Sequence, residues 1–159
     1  MQRDPNKWTE LAVKRMPPPG WFAICLIGVV LFWKLFPQGN VLPDWLRALG
    51  YFEIFLGFAL MADVVIRFYR AKTPVHPFHT AKVLVTDGML RFSRNPIYLG
   101  FALILFGVSL ILGTLPGMLM VPAFMWAVTC FVILGEEHML EAEFGDAYRE
   151  YKARVRRWL

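Results

Sequence analysis

The sequence predicts an all-α integral membrane protein, a helical bundle of about four transmembrane helices with a cytoplasmic loop in its middle and an amphipathic C-terminal helix. Three observations carry this. Of the 159 residues, 57% are hydrophobic and 18% charged, against about 45–50% and 25% in an ordinary soluble domain. Mean hydropathy is +0.47. The apolar residues fall in long uninterrupted runs, one of them 41 residues without a charge, from Asn95 to Gly135. Disorder is excluded, because disordered chains are poor in apolar residues. The length suits a single domain.

Residues 1–19 read as a cytoplasmic arm, either a short helix on the membrane surface with Trp8, Leu11 and Ala12 facing lipid or a solvated strand of chain. Its first sixteen residues are charged and polar with no small-residue cleavage pattern, so the apolar segment that follows is expected to stay in the mature chain. Residues 20–66 read as two spans. The first is a helix from Gly20 to Phe36, stopped by Pro37-Gln38-Gly39-Asn40. The second runs from about Leu49 to Ile66 and carries Glu53 and Asp63. Residues 67–95 form a polar loop with a β-prone stretch ending in a turn. Residues 96–135 form a hairpin of two spans. A single helix over 41 residues would be about 60 Å long, twice the hydrocarbon core, and Gly113-Thr114-Leu115-Pro116-Gly117 carries turn chemistry. Residues 136–159 read as one cytoplasmic helix, with Leu140, Phe144, Tyr148, Tyr151, Val155 and Trp158 on one face.

Fifteen of the seventeen basic residues lie in the arm, the middle loop and the tail; Lys34 and Arg47 are the exceptions. The positive-inside rule then makes both termini cytoplasmic, in the plasma (inner) membrane if the source is bacterial. The net charge of +5 fits an anionic bilayer surface, and the apolar content argues against nucleic acid as the partner. Cys25 and Cys130 sit inside apolar runs and read as small fillers. His76, His79 and His138 fall short of a metal site, which needs three or four suitably placed ligands.

Three features exceed what a membrane anchor needs. Lys82, Val83, Leu84, Val85, Thr86, Asp87 and Gly88 could offer backbone groups to a small polar ligand, or could simply connect two helices. At Arg91-Phe92-Ser93-Arg94-Asn95-Pro96-Ile97-Tyr98, Pro96 suits the first turn of a helix. A helix start beside Arg94 attracts a carboxylate or phosphate; the plain alternative is that Arg94 binds lipid phosphate. Glu136-Glu137 directly follows the uncharged run. Two acids at a membrane edge must be solvated, paired or used. They suit an ammonium or sulfonium cation, or they favour the start of a helix. Asp63 faces either a ligand or a nearby arginine.

Together these elements resemble the C-terminal half of the isoprenylcysteine carboxyl methyltransferase and phospholipid methyltransferase superfamily, over about residues 73–159. The resemblance rests on Leu84-Val85-Thr86-Asp87-Gly88, Arg94-Asn95-Pro96-Ile97-Tyr98, Glu136-Glu137, Phe144-Gly145-x-x-Tyr148-x-x-Tyr151 and the closing Val155-x-x-Trp158. It implies S-adenosyl-L-methionine as cofactor, S-adenosyl-L-homocysteine as product, and a hydrophobic or lipid-like acceptor methylated at a carboxylate, amine or thiol. It makes the middle loop a cofactor-binding loop. It implies that Lys82, Val83, Leu84, Val85, Gly88, Leu90, Asn95, Pro96, Ile97 and Tyr98 line the cofactor, that Arg94 places its anionic end, and that Glu136 holds its ammonium with Glu137 in support. Asp63 and Glu137 are the candidate general bases. Leu90 stands where relatives usually carry a tyrosine, and Asn95 where a histidine is frequent. The stretch Cys130–Leu134 lacks the substrate-orienting arginine that the isoprenylcysteine enzymes carry about one turn before the paired acids. Phe101, Leu105 and Trp126 are expected to wall a cavity for the acceptor. A non-enzymatic membrane adaptor and an NADPH-dependent membrane reductase are the competing readings.

Overall fold

The computed structural model describes residues 16–36, 42–72 and 83–159. Residues 1–15 of the arm, where the surface helix is expected, the connector residues 37–41, and residues 73–82, with Lys82, His76 and His79, lie outside the described residues. Four helical segments form the bundle. Helix α1 spans Pro18–Leu35, with proline in its first turn, where the missing N–H costs nothing. Helix α2 spans Asp44–Arg70. Helix α3 spans Pro96–Leu112 and stops at Gly113, which takes the left-handed conformation at φ 67°. A short 3-10 turn, Pro116–Leu119, then leads into α4, Met120–Val128. A π-helical turn, Thr129–Ile133, joins α4 to α5, Leu134–Phe144. The result is a continuous helical rod, Pro116–Phe144, about 43 Å long at 1.5 Å per residue.

Three of these segments, Pro18–Leu35, Asp44–Arg70 and Pro116–Phe144, are long and apolar enough to cross a membrane, and α3 is a shorter apolar helix. Their outer faces are those of a protein solvated by lipid. On α2, Trp45, Tyr51, Phe52, Phe55, Phe58 and Tyr69 all point outward and are exposed. Contiguous apolar surface on this scale is foreign to soluble monomers.

Helix α3 is the middle of the bundle: α2 lies along one side, and α1 with α4 along the other. Sequence dictates how closely α2 and α3 approach. Gly50 faces Gly107 and Gly57 faces Gly100, an antiparallel seam with both pairs seven residues apart. A Cβ placed on any of the four would stand 2.5–2.7 Å from the backbone carbonyl of its opposite glycine. Small residues are what permit such approach where lipid offers no hydrophobic drive. On the other side the core is made of side chains: Cys25 and Val29 of α1, Ala102 and Leu105 of α3, Phe124 and Val128 of α4. Phe22, Phe101 and Phe124 pack ring against ring within it.

Three expectations are corrected. Helix α2 is longer than Leu49–Ile66, because the backbone continues its hydrogen-bonded ladder through the polar ends of the segment. The acceptor-cavity residues do not share a wall: Leu105 is fully buried, Phe101 packs among phenylalanines, and Trp126 is 65% exposed on the outside of the rod. The C-terminal region is not one helix over 136–159. The rod runs through the acidic pair and ends at Phe144. Gly145 turns the chain at φ 54°, ψ −123°, a conformation open essentially to glycine alone. Helix α6 follows, Asp146–Arg154, and from Val155 the chain is extended. The apolar stripe survives the break: Leu140, Phe144, Tyr148, Tyr151 and Val155 still pack together, joined by Leu84. Trp158 leaves the stripe and packs against the main core.

Candidate active site

The acidic pair owes its placement to the π turn. In the rod, Phe124, Val128, Ile133 and Glu137 are buried, at steps of four, five and four. The step of five is the additional residue of the π turn, a feature found most often at functional sites. Thr129 marks its start by donating its hydroxyl to the Met125 carbonyl at 2.6 Å. The wider turn also brings Phe131 flat against Trp21 of α1, with ring centroids 5.0 Å apart. The two acids fall in the first turn of α5, but the rod runs into that turn unbroken from the π turn, so they meet no free helix end.

The two adjacent carboxylates have different surroundings. Glu136 accepts from the Tyr98 hydroxyl at 2.7 Å, and among the described residues no cation pairs with it. Glu137, with its side chain 8% exposed, sits between two guanidiniums. Arg157 reaches both of its oxygens, Nε to Oε1 and Nη2 to Oε2, each at 2.9 Å. Arg94 reaches Oε1 from its other side through Nη1 at 3.0 Å. The Arg94 side chain is equally buried, and its Nε–H finds no acceptor among the described residues. An orphaned donor on a buried cation is costly unless something else supplies the acceptor. Tyr148 lies nearby; burial, reinforced by the Glu137 charge, pushes its phenol above the ordinary range. The carboxylate of Glu137 likewise strengthens the hold of Arg157 on its proton.

The start of α3 is covered by the extended tail. The Arg94 N–H donates to the Arg156 carbonyl at 3.0 Å. The Asn95 side-chain amide donates to the Arg157 carbonyl at 3.0 Å, and the Ser93 hydroxyl reaches the same oxygen at 3.3 Å. Ser93 also accepts from the Asn95 N–H. Pro96 and Tyr98 are buried and Ile97 half-buried in the first turn of α3.

The loop before α3 contains no strand among its described residues. Val83 is exposed, while Leu84 packs into the tyrosine cluster of α6. Val85 is half-buried and Leu90 buried, with the Leu90 carbonyl accepting from the Tyr151 hydroxyl at 2.7 Å. Asp63 does not join the acidic pair. It pairs with Arg67 one turn along α2 and accepts from the Met89 N–H at 3.2 Å. Arg67 also pairs with Asp87, and its guanidinium lies where a Cβ on Gly88 would be. Gly88, at φ 61°, is thus a packing point between α2 and the loop. The structure therefore brings together Arg94, Asn95, Tyr98, Glu136 and Glu137, and sets Asp63 and Gly88 in a separate brace. Sequence does not single out Arg157, and it gives Ser93 no role of its own within the stretch Arg91 to Tyr98. The available signal was that a buried acid pair needs cations, and the tail is the nearest dense source of them.

A family model for phospholipid methyltransferases matches residues 45–147. The chain belongs to the phospholipid methyltransferase family. The match takes in α2, the loop, α3, the rod and the first residues of α6, and so includes Asp63, Arg94, Tyr98, Glu136 and Glu137. Over 73 residues this family member is 34% identical to a protein-S-isoprenylcysteine O-methyltransferase of Schizosaccharomyces pombe, a stretch covering 46% of this chain and 31% of the yeast protein. An uncharacterized protein of Haemophilus influenzae is 46% identical over 63 residues, which is 40% of this chain and all of that one. The chain thus spans about a third of the length of the yeast relative. No solved structure matches it.

Proposed function

We propose that this family member transfers a methyl group from S-adenosyl-L-methionine to a hydrophobic or lipid-like acceptor at the cytoplasmic face of its membrane. The observation that carries the reading is the contrast between the two acids. Among the described residues Glu136 has a hydroxyl for a partner and no cation, while Glu137 beside it is doubly paired. An unpaired carboxylate next to a cation-rich cluster complements a zwitterion, the form of an amino-acid end.

The donor set fits that group. Glu136, oriented by Tyr98, would hold the ammonium, and the free Nε–H of Arg94 would meet the carboxylate. Asn95, Pro96 and Ile97 would line the same end, and Val83 to Val85 with Leu90 would approach from the loop. Bound there, the cofactor supplies an electrophilic methyl on a sulfonium. The chain's own contribution is alignment and exclusion of water, which suffices when the leaving group is already activated. Glu137 and Asp63 each hold guanidinium partners, so their part is to fix Arg94 and the loop rather than to take a proton. A hydrophobic acceptor would approach from the bilayer, where the outer faces of the helices are apolar.

The test is calorimetric titration of detergent-purified protein with S-adenosyl-L-homocysteine beside Glu136→Gln, followed by a labelled-methyl screen of lipid extracts. Saturable binding near one per chain, weakened by the substitution, is the expected result. A folded, monodisperse sample that binds nothing would overturn the reading.

A further inference from the structure

The extended tail makes five hydrogen bonds across the start of α3 and onto α5, three of them to two backbone carbonyls. These carbonyls, of Arg156 and Arg157, accept from Arg94, Asn95 and Ser93. The other two are the paired bonds from the Arg157 guanidinium to Glu137. Trp158 anchors the same segment in the core. A surface helix end needs none of this.

Charge explains what the arrangement accomplishes. Glu137 carries one negative charge and is met by two positive ones, Arg94 and Arg157. With Arg94 alone, the pair would be neutral and the buried carboxylate would take the whole of that guanidinium. With Arg157 present, Glu137 is satisfied edge-on by the second arginine, a geometry suited to a planar fork. Arg94 then touches Glu137 through one nitrogen, and its Nε–H has no acceptor among the described residues.

We propose that Arg157 is a positioning residue: by taking both oxygens of Glu137 it pins the tail over α3 and leaves Arg94 available to an anionic ligand group. The inference rests on the reading of this site as a cofactor pocket and names a residue that acts there without touching the cofactor. Removing Arg157 returns Glu137 to Arg94 and loosens the two carbonyl contacts with it. Lysine at 157 keeps the charge but loses the fork.

The experiment is titration with S-adenosyl-L-homocysteine on the wild-type chain, Arg157→Ala, Arg157→Lys, Glu137→Gln and the double variant Arg157→Ala/Glu137→Gln. All are compared well below their unfolding midpoints. Loss of charged hydrogen bonds of this kind predicts affinity weakened about tenfold or more in Arg157→Ala. Arg157→Lys should lie between that variant and the wild type. Because Arg157 acts through Glu137, the double variant should bind no worse than the weaker single one. If Arg157→Ala binds as the wild type does while unfolding at lower temperature, the residue is merely structural and the proposal falls. Should Arg157→Ala fail to fold, an Arg157→Lys chain with wild-type affinity overturns it equally. A wild-type chain that does not bind sinks the cofactor reading itself, an outcome distinct from the others.

Discussion

The Tyr98 hydroxyl donates to Glu136 Oε1 at 2.7 Å, joining the first turn of α3 to the rod across 38 residues of sequence. It is the contact by which the bundle orients the acid that has no cation partner among the described residues. Tyr98→Phe keeps the ring in the core and removes this one bond. Hydrogen bonds to charged groups contribute about 1.5–3 kcal/mol, so S-adenosyl-L-homocysteine should bind about tenfold more weakly or worse. Calorimetry would register the change. An unaltered affinity would mean that Glu136 is oriented by something other than Tyr98.

Glu137 stabilises by neutralising two arginines, and its loss should reveal this. In Glu137→Ala the buried Arg94 and the one-third-exposed Arg157 lose their shared anion. Breaking a buried pair in this way costs about 3–5 kcal/mol; the exposure of Arg157 places the expected loss at the lower end. Glu137→Gln retains acceptor and shape and should lose less. Thermal unfolding in detergent would rank the three proteins, and equal midpoints would remove Glu137 from any holding role.

The π turn makes a prediction that separates side chain from register. Cys130 sits in it, half-buried and free. Cys130→Ala should be nearly silent. Deleting Cys130 closes the turn to regular α-helix and rotates everything below it by about 100°. Glu136 and Glu137 would then leave Tyr98 and the arginines. Ligand binding should vanish in the deletion and persist in the alanine variant; persistence in both would show that the turn does not set the site.

Two glycines should fail for different reasons. Gly57→Ala drives a Cβ to 2.6 Å from the Gly100 carbonyl, an overpacking that typically costs about 1–3 kcal/mol. Gly145→Ala meets nothing within 4 Å and is opposed by backbone conformation alone, about 1–3 kcal/mol for such a strained position. Gly145→Asn should be no milder than Gly145→Ala, since asparagine's tolerance of positive φ is confined to the left-handed helical region and ψ −123° lies outside it; unfolding midpoints would test this.

Much of this architecture is legible without coordinates, because lipid imposes a simple code. A charge-free run of twice the bilayer thickness must fold back, and Gly113 to Gly117 marks where. Helix ends are less legible: Asp44, Arg67 and Arg70 belong to α2 although hydropathy excludes them. The break at Gly145 was visible as a glycine within a helical stripe, but the stripe spoke louder. The different surroundings of Glu136 and Glu137 were not legible at all. Neighbours on a helix point about 100° apart, and their directions depend on a π turn that has no sequence signature. Arg157 was hidden among five basic residues of the tail, each alike until the fold singles one out.

The glycine seam between α2 and α3 has a mechanical meaning. Backbone rests on backbone there, at two places seven residues apart, so no rotamer change can part the two helices; they form a single stiff plank. On the opposite side, α1 meets the rod through Trp21, Phe22, Phe124 and Phe131, ring against ring. The bundle therefore has one edge whose spacing is set by backbone and one whose spacing is set by side chains.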